Sequence, residues 1–165
     1  MRETVLITGA SSGIGKTFAF EYAGLGKNLI LTARSKDKLD KIKEEIEKKF
    51  SVDVKVLIKD LEKENSAAEL YGELEKNELH VDILINNAGQ HSQIILNCLS
   101  LTDLTYFIIK DMAGRKSGEI INIASTAAFQ PVPYMAVYGA TKAFVLSFSE
   151  ALHQEYKNYG IKVTA

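Results

Sequence analysis

The stretch VLITGASSGIG, residues 5–15, decides the fold of this chain. Its first three residues, Val5 to Ile7, are an apolar run typical of a buried strand, and a glycine-rich turn follows directly. Beyond the turn, apolar residues recur at helical spacing: Phe18, Tyr22 and Leu25. A strand, a glycine-rich turn and a helix in this order indicate the first unit of a parallel α/β sheet.

The rest of the chain repeats this alternation. Short β-branched runs predict five more strands, at residues 29–31, 54–58, 83–85, 120–123 and 161–163. Helical spacing predicts helices between them, over residues 39–50, 67–74, 93–112 and 137–152. Because the strands show almost no polar alternation, we expect both sheet faces to be covered. We therefore predict a single domain over residues 1–165, a Rossmann-type doubly wound parallel sheet.

Composition excludes several classes of protein. The 165 residues are 46% hydrophobic and 25% charged, with a formal net charge of -1, so we expect no nucleic-acid or membrane partner. Cys98 is the single cysteine, which fits a reducing, cytoplasmic setting. The N-terminus has no cleavage-site pattern and is interpreted as mature sequence. The histidines lack metal-ligand spacing, so no metal site is expected: His80, His91 and His153.

The glycine turn predicts a dinucleotide site. Gly9, Gly13 and Gly15 would let the backbone approach a pyrophosphate, which the amide groups and dipole of the following helix would bind. Ser11 and Ser12 can add hydroxyl donors. The alternative is a glycine-rich turn without a ligand, but its place between a strand and a helix favours the dinucleotide.

The end of the second strand indicates which dinucleotide binds. An NAD site usually has an acid about 20 residues beyond the glycines, bonded to the ribose 2′-hydroxyl. This chain has Thr32-Ala33-Arg34 there, and arginine can bind a 2′-phosphate. NADP(H) is therefore expected in preference to NAD(H), the alternative being a surface arginine at a strand end.

Two further strand ends add candidate cofactor contacts. Asp60 and Leu61 follow the third strand at the level expected for adenine, although Asp60 could equally cap a helix. Asn86-Asn87-Ala88-Gly89 closes the fourth strand, and its amides and glycine suit a tight loop beside the cofactor or a simple turn.

The catalytic candidates are Ser125, Tyr138 and Lys142. Tyr138 and Lys142 lie four residues apart on one predicted helix, and a nearby ammonium group would make a phenol a better acid–base catalyst at neutral pH. Ser125 ends the fifth strand, where its hydroxyl could hold a substrate oxygen. Tyr106 and Lys110 have the same spacing, but no catalytic-looking strand end precedes them, so we interpret them as structural.

These pieces together resemble the short-chain dehydrogenase/reductase family, in its small single-domain branch. Thr8-Gly9-x3-Gly13-Ile14-Gly15, Asp60-Leu61, Asn86 to Gly89, Ser125 and Tyr138-x3-Lys142 occur in the family's order over nearly the whole chain. The resemblance implies hydride transfer between a nicotinamide and a carbonyl or alcohol carbon of a small-molecule substrate.

The resemblance also implies roles for individual residues. Tyr138 would be the general acid/base, Ser125 would orient the carbonyl, and Lys142 would bind the nicotinamide ribose and tune Tyr138. Asn97 is similar to the family's proton-relay asparagine, or is an incidental polar residue. The implied cofactor contacts are Gly9, Ser12, Ile14, Arg34, Asp60, Leu61 and Asn87.

The sequence departs from the family pattern in two places. The segment between Gly89 and Asn97 is short, and the chain ends at Ala165 inside the sixth strand. We therefore expect an incomplete sheet whose last strand and substrate loop are missing.

Two other functions are compatible with a dinucleotide site of this kind. One rival is a non-catalytic NADP(H)-binding sensor or scaffold, and another, a nucleotide-sugar epimerase or dehydratase, is disfavoured by the glycine spacing. Apolar residues on several faces of the helices at 96–112 and 137–156 predict a homodimer or homotetramer. Four residues before Tyr138 are expected to form an apolar wall for a lipophilic or acyl-type carbonyl: Phe129, Val132, Tyr134 and Met135.

Overall fold

A computed structural model describes residues 2–88 and 93–165 of the chain. Within them, six strands form one sheet: β1 (Thr4–Thr8), β2 (Asn28–Ala33), β3 (Val54–Ile58), β4 (Ile83–Asn86), β5 (Gly118–Asn122) and β6 (Ile161–Thr164). Their order is β3-β2-β1-β4-β5-β6, and every neighbouring pair is parallel. The predicted doubly wound parallel sheet is confirmed.

Five α-helices connect the strands: α1 (Gly13–Gly24), α2 (Lys36–Lys49), α3 (Ser66–Lys76), α4 (Leu101–Arg115) and α5 (Ala136–Tyr156). A π-helical turn, Ile95–Ser100, leads directly into α4, and short 3-10 turns at Thr126–Ala128 and Lys157–Tyr159 precede and follow α5. The predicted helix over 93–112 is thus a π-helical turn joined to an α-helix. Among the described residues, no helix combines the length and apolar content of a membrane span.

Alternate residues of the central strands face two hydrophobic layers. Leu6, Ile30 and Leu84 pack with residues of α3 and α4, and their neighbours Ile7, Leu31 and Ile85 pack with residues of α1 and α2. All six are fully buried. Burial of such a side chain contributes about 1.5–3 kcal/mol, so both layers hold the sheet rigid beneath the strand ends.

Helix α1 meets the sheet through its smallest residues. Gly15, Ala19 and Ala23 are its buried positions, whereas Leu25 lies beyond the helix end and is 69% exposed. Small side chains let the helix axis approach the sheet closely, and this brings the N-terminus of α1 down to the end of β1.

The order in which strands are added to the sheet reverses at β1. The connections through α1 and α2 place β2 and β3 on one side of β1, and β4 begins the other side. Such a switch point leaves a crevice outside the carboxyl ends of the strands, and ligands of open α/β sheets bind there.

Candidate active site

A cleft of about 550 Å³ occupies the crevice at the switch point. Most of the residues predicted to contact a cofactor line it, although they come from five separate segments of the chain. The predicted residues on its wall are Gly9, Ser11, Ser12, Gly13, Ile14, Arg34, Asp60, Leu61, Asn87, Ala88, Tyr138 and Lys142. Gly89 was also predicted here and lies outside the described residues.

The glycine turn is interlocked with the end of β4. Gly9 has a φ of +65°, a conformation that favours glycine. A Cβ atom on Gly15 would lie 2.4 Å from the Gly9 carbonyl oxygen and 2.5 Å from Nδ2 of Asn87. The lack of a side chain at Gly15 therefore lets α1 start directly against the turn. Gly15 itself does not line the cleft.

Asn87 and Thr8 join the two halves of the sheet. The backbone amides of Asn87 and Ala88 donate to Oγ1 of Thr8 at 2.9 and 3.0 Å. The Asn87 side chain donates back to the Thr8 carbonyl oxygen at 3.0 Å. These bonds hold the end of β4 directly against the start of the glycine turn, so they fix the relative positions of two segments of the cleft wall.

The first turn of α1 faces the cleft with Ser12 and Ile14 exposed. Ser12 precedes the helix in an extended conformation, and its hydroxyl is not used to cap α1 within the described residues. The exposed amides and dipole of a helix start are suited to an anion such as a pyrophosphate.

The far end of the cleft is rich in charge. Arg34, Ser35 and Lys38 follow β2, and Lys59, Asp60 and Glu62 follow β3. Nη1 of Arg34 lies 3.5 Å from Oε2 of Glu62. The alternative that Asp60 caps a helix is wrong, because α3 starts only at Ser66 and Asp60 Oδ1 instead accepts from the Glu62 amide at 3.2 Å.

Lys142 and Tyr138 lie at the other end of the cleft. Lys142 is only 8% exposed, and its Nζ donates to the Ile123 carbonyl oxygen at 2.6 Å. The same Nζ lies 5.8 Å from the centroid of the Tyr138 ring. Burial lowers the pKa of Lys142, and the nearby Cys98 opposes that shift.

Asn97 is held beneath this pair by a residue that sequence reasoning missed. Asn97 lies on the π-helical turn, is 2% exposed, and its Nδ2 donates to Oγ1 of Thr141 at 2.9 Å. Thr141 in turn donates to the Tyr138 carbonyl oxygen at 2.9 Å. The position of Thr141 one turn after Tyr138 was the only signal for it in the sequence.

A family model for short chain dehydrogenases matches residues 3–165. The chain belongs to the short-chain dehydrogenase family.

Individual relatives agree with this membership. The chain is 35% identical to a very-long-chain 3-oxoacyl-CoA reductase of Bos taurus, over 98% of this chain and 57% of that protein. It is 37% identical to the 17-beta-hydroxysteroid dehydrogenase type 3 of Mus musculus, again over 98% and 57%. A short-chain dehydrogenase from Sphingobium yanoikuyae, solved in complex with NADPH, is 38% identical with a TM-score of 0.91, over 98% of this chain and 68% of that one. The chain thus spans somewhat more than half the length of these curated relatives.

Two predicted catalytic residues of this short-chain dehydrogenase are not among the residues that line the cleft. Ser125 follows the wall residues Ile123 and Ala124, and its Oγ accepts from the Ala127 amide at 3.2 Å at the start of a 3-10 turn. Asn97 is likewise set back, next to the wall residue Leu96. Sequence reasoning also missed several wall residues: Thr32, Ala33, Ser35, Lys38, Lys59, Glu62, Leu96, Ile123 and Ala124.

The apolar wall predicted before Tyr138 is placed only in part. Phe129 and Val132 line a second cavity, also of about 550 Å³, but Tyr134 and Met135 do not belong to its wall. The helical part of that wall is formed by Ala136, Gly139, Ala140 and Ala143. These positions form a different face of α5 from Tyr138 and Lys142, because residues three, four and seven apart share one side of a helix.

The second tyrosine–lysine pair lines neither of these two cavities, and Lys110 instead lines a third one. Lys110 donates to the Tyr106 hydroxyl, and its Nζ lies 3.8 Å from the ring centroid. Tyr106 is 54% exposed on α4. Within the described residues, no group of three or more acidic, histidine or cysteine side chains is arranged as a metal site; His91 lies outside that part of the chain.

Proposed function

We propose that this short-chain dehydrogenase is an NADP(H)-dependent oxidoreductase that interconverts a carbonyl and an alcohol. The observation that carries the proposal is the shared cleft, whose wall joins the glycine turn, Arg34 and the Tyr138–Lys142 pair. The cleft fits a dinucleotide in chemistry as well as in place. The start of α1 supplies amides for a pyrophosphate, and the cations Arg34 and Lys38 stand at the far end.

The cofactor would be held along the length of the cleft. Gly9, Ser11, Ser12, Gly13 and Ile14 would bind the pyrophosphate, Asp60, Leu61, Asn87 and Ala88 the adenosine region, and Lys142 the nicotinamide ribose. A bound nicotinamide supplies the hydride donor or acceptor for the carbonyl carbon.

The acid–base step belongs to Tyr138. In the reducing direction its hydroxyl gives a proton to the substrate oxygen as the carbonyl carbon gains a hydride, so that an alcohol and a phenolate result. Lys142 stabilises that phenolate by its positive charge and positions the ribose. Ser125 would hold the substrate oxygen by donating its hydroxyl proton, while its Oγ accepts from the Ala127 amide.

Arg34 and Lys38 support a preference for the phosphorylated cofactor. Both lie on the wall beside Ser35, where an NAD site would have its acid. Arg34→Gln should raise the Kd for NADPH about tenfold or more and change the Kd for NADH little, since a charged hydrogen bond is worth about 1.5–3 kcal/mol. Lys41→Gln, a change on α2 outside the cleft wall, serves as the control.

Tyr138→Phe tests the catalytic proposal directly. Turnover should fall by about two to four orders of magnitude while NADPH binding, followed by fluorescence, is retained. Tyr106→Phe is the matched control, because it removes the hydroxyl of the other tyrosine–lysine pair. Equal turnover by Tyr138→Phe and the native chain would contradict the catalytic proposal. If neither protein reduces any carbonyl while both bind NADPH, the result would favour the sensor or scaffold alternative.

We further propose a lipophilic carbonyl substrate and a homo-oligomer. The names of the relatives, which refer to 3-oxoacyl-CoA and hydroxysteroid compounds, support the lipophilic substrate. Leu99, Val137 and Phe144 are 57%, 52% and 39% exposed, an apolar surface that a second copy could cover. Phe144→Glu should shift the sedimentation of the protein toward monomer, whereas Lys41→Glu should not.

A further inference from the structure

The charged end of the cleft contains an acid where the proposed phosphate-binding arginine lies. Glu62 and Arg34 both line the cleft, and Oε2 of the first is 3.5 Å from Nη1 of the second. The Glu62 side chain is 21% exposed and that of Arg34 55%, so the carboxylate is the more enclosed partner.

The loop after β3 holds Glu62 in this position. The backbone amide of Glu62 donates to Oδ1 of Asp60 at 3.2 Å, a local turn that fixes Glu62 four residues after the last residue of β3. The hydroxyl of Ser100 donates to the carbonyl oxygen of Leu61, which ties the same loop to the start of α4. Two hydrogen bonds thus fix the backbone from which the Glu62 side chain reaches Arg34.

Lys59, the lysine of this loop that lines the cleft, is already engaged. Nζ of Lys59 lies 2.9 Å from carboxylate oxygens of both Glu69 and Glu73 on α3. Hydrogen bonds to these two carboxylates, that to Glu69 foremost, raise the pKa of Lys59. The charge available to a ligand at this end thus comes from Arg34 and Lys38, and Glu62 offsets part of it.

From this arrangement we infer that Glu62 is a specificity-determining residue that limits the preference for NADP(H) and permits NAD(H) to bind. The inference rests on the proposed dinucleotide function. A 2′-phosphate on Arg34 would be brought beside the Glu62 carboxylate, and like charges so placed disfavour binding. A 2′-hydroxyl would instead meet a carboxylate able to accept its hydrogen bond, the part that an acid at the end of β2 has in NAD sites.

The test compares Glu62→Gln with Glu64→Gln in the full chain. Both changes remove one negative charge from the same loop, but Glu64 is exposed and outside the cleft wall. NADPH and NADH are titrated by fluorescence, and adenosine 2′,5′-bisphosphate and adenosine 5′-monophosphate by calorimetry. Glu62→Gln should lower the Kd for each 2′-phosphorylated probe about three- to tenfold and leave the Kd for each probe that lacks a 2′-phosphate unchanged or higher. Glu64→Gln should keep all four within about twofold.

A double-mutant cycle with Arg34→Gln distinguishes a direct effect from a general one. In the Arg34→Gln background, Glu62→Gln should no longer improve the binding of 2′-phosphorylated probes selectively. Equal nucleotide preference in Glu62→Gln and Glu64→Gln, with both binding, overturns the role of Glu62 and leaves the proposed function intact. Failure of the native chain to bind any of the four probes overturns both. Should Glu62→Gln lose its folded circular dichroism spectrum, Glu62→Asp replaces it, because its shorter side chain withdraws the carboxylate from Arg34. The ratio of the Kd for NADH to the Kd for NADPH should then exceed that of the native chain, and an unchanged ratio opposes the inference.

Discussion

Nζ of Lys142 donates to the backbone carbonyl oxygen of Ile123 at 2.6 Å, so the ammonium group of α5 is anchored to the residue that follows β5. The two bonded residues are 19 positions apart in sequence, and the bond closes the loop that carries Ser125. It keeps the charge of Lys142 beside Tyr138 even though burial disfavours that charge.

The lowered pKa of Lys142 has a consequence for stability at alkaline pH. Below that pKa the native state carries a buried charge that the unfolded chain would hydrate. As the pH rises from the lowered pKa toward 10.5, the native state loses its proton first, so the unfolded state binds more protons and the free energy of unfolding rises. Urea denaturation of the native chain should show this gain relative to Lys142→Met. A constant difference between the two proteins across that range would contradict the prediction.

The raised pKa of Tyr71 has the opposite effect on stability at alkaline pH. Burial, and then the 3.0 Å hydrogen bond to Asp111, raise its pKa from 10.0 to about 12. The native state therefore keeps the phenol protonated after the unfolded chain has ionised, and the stabilisation is lost as the pH rises from 10 to about 12. Burial also raises the pKa of Tyr22, so absorbance in the tyrosinate band should show more than one late-ionising phenol, of which Tyr71→Phe removes one. Asp111→Asn should lower the pKa of Tyr71 only in part, because burial is the larger cause.

Gly15 should tolerate no side chain. Gly15→Ala would place Cβ within 2.5 Å of atoms in Gly9 and Asn87, both of them on the rigid walls of the cleft. Overpacking of this kind costs about 1–3 kcal/mol of stability, and NADPH affinity should fall with it. Gly72→Ala is the control, since its Cβ meets no atom within 4 Å in α3. That change should stabilise the helix by about 0.5–1 kcal/mol in urea denaturation.

The Thr141 hydroxyl should matter more than its methyl group. Thr141→Val leaves Nδ2 of Asn97 without its 2.9 Å acceptor in a buried site, at a cost of about 1–3 kcal/mol. Thr141→Ser retains the acceptor and should cost about 1 kcal/mol or less. If Thr141 positions Asn97 and Tyr138, the valine variant should also shift the pH profile of turnover, and the serine variant should restore it. Equal losses in both variants would mean that the contact is only packing.

Much of the fold could be predicted from the sequence because its decisive signals are local. Short runs rich in β-branched residues identified all six strands, and the glycine turn together with the strand order predicted where the cleft lies. The strand ends differ by one or two residues, as for β5, which runs from Gly118 to Asn122 where residues 120–123 were expected.

The rest depends on contacts that sequence spacing does not specify. Glu62 and Arg34 meet because β3 lies next to β2, and nothing in either segment alone indicates the other. The π-helical turn that buries Asn97 has the same apolar spacing as an α-helix over so few residues. Phe129 and Val132 were assigned to the substrate wall from their position before Tyr138, but the start of α5 turns them toward another of its faces.

The bonds between Asn87 and Thr8 join residues 79 positions apart. Contacts of such separation close late in folding, because a long loop must lose its entropy first, whereas β1 and β2 can pair over a much shorter loop. A refolding chain should consequently acquire nucleotide-dependent fluorescence only when β4 docks on β1. The time at which nucleotide binding appears during refolding would then report when the strands β3-β2-β1 and β4-β5-β6 join into one sheet.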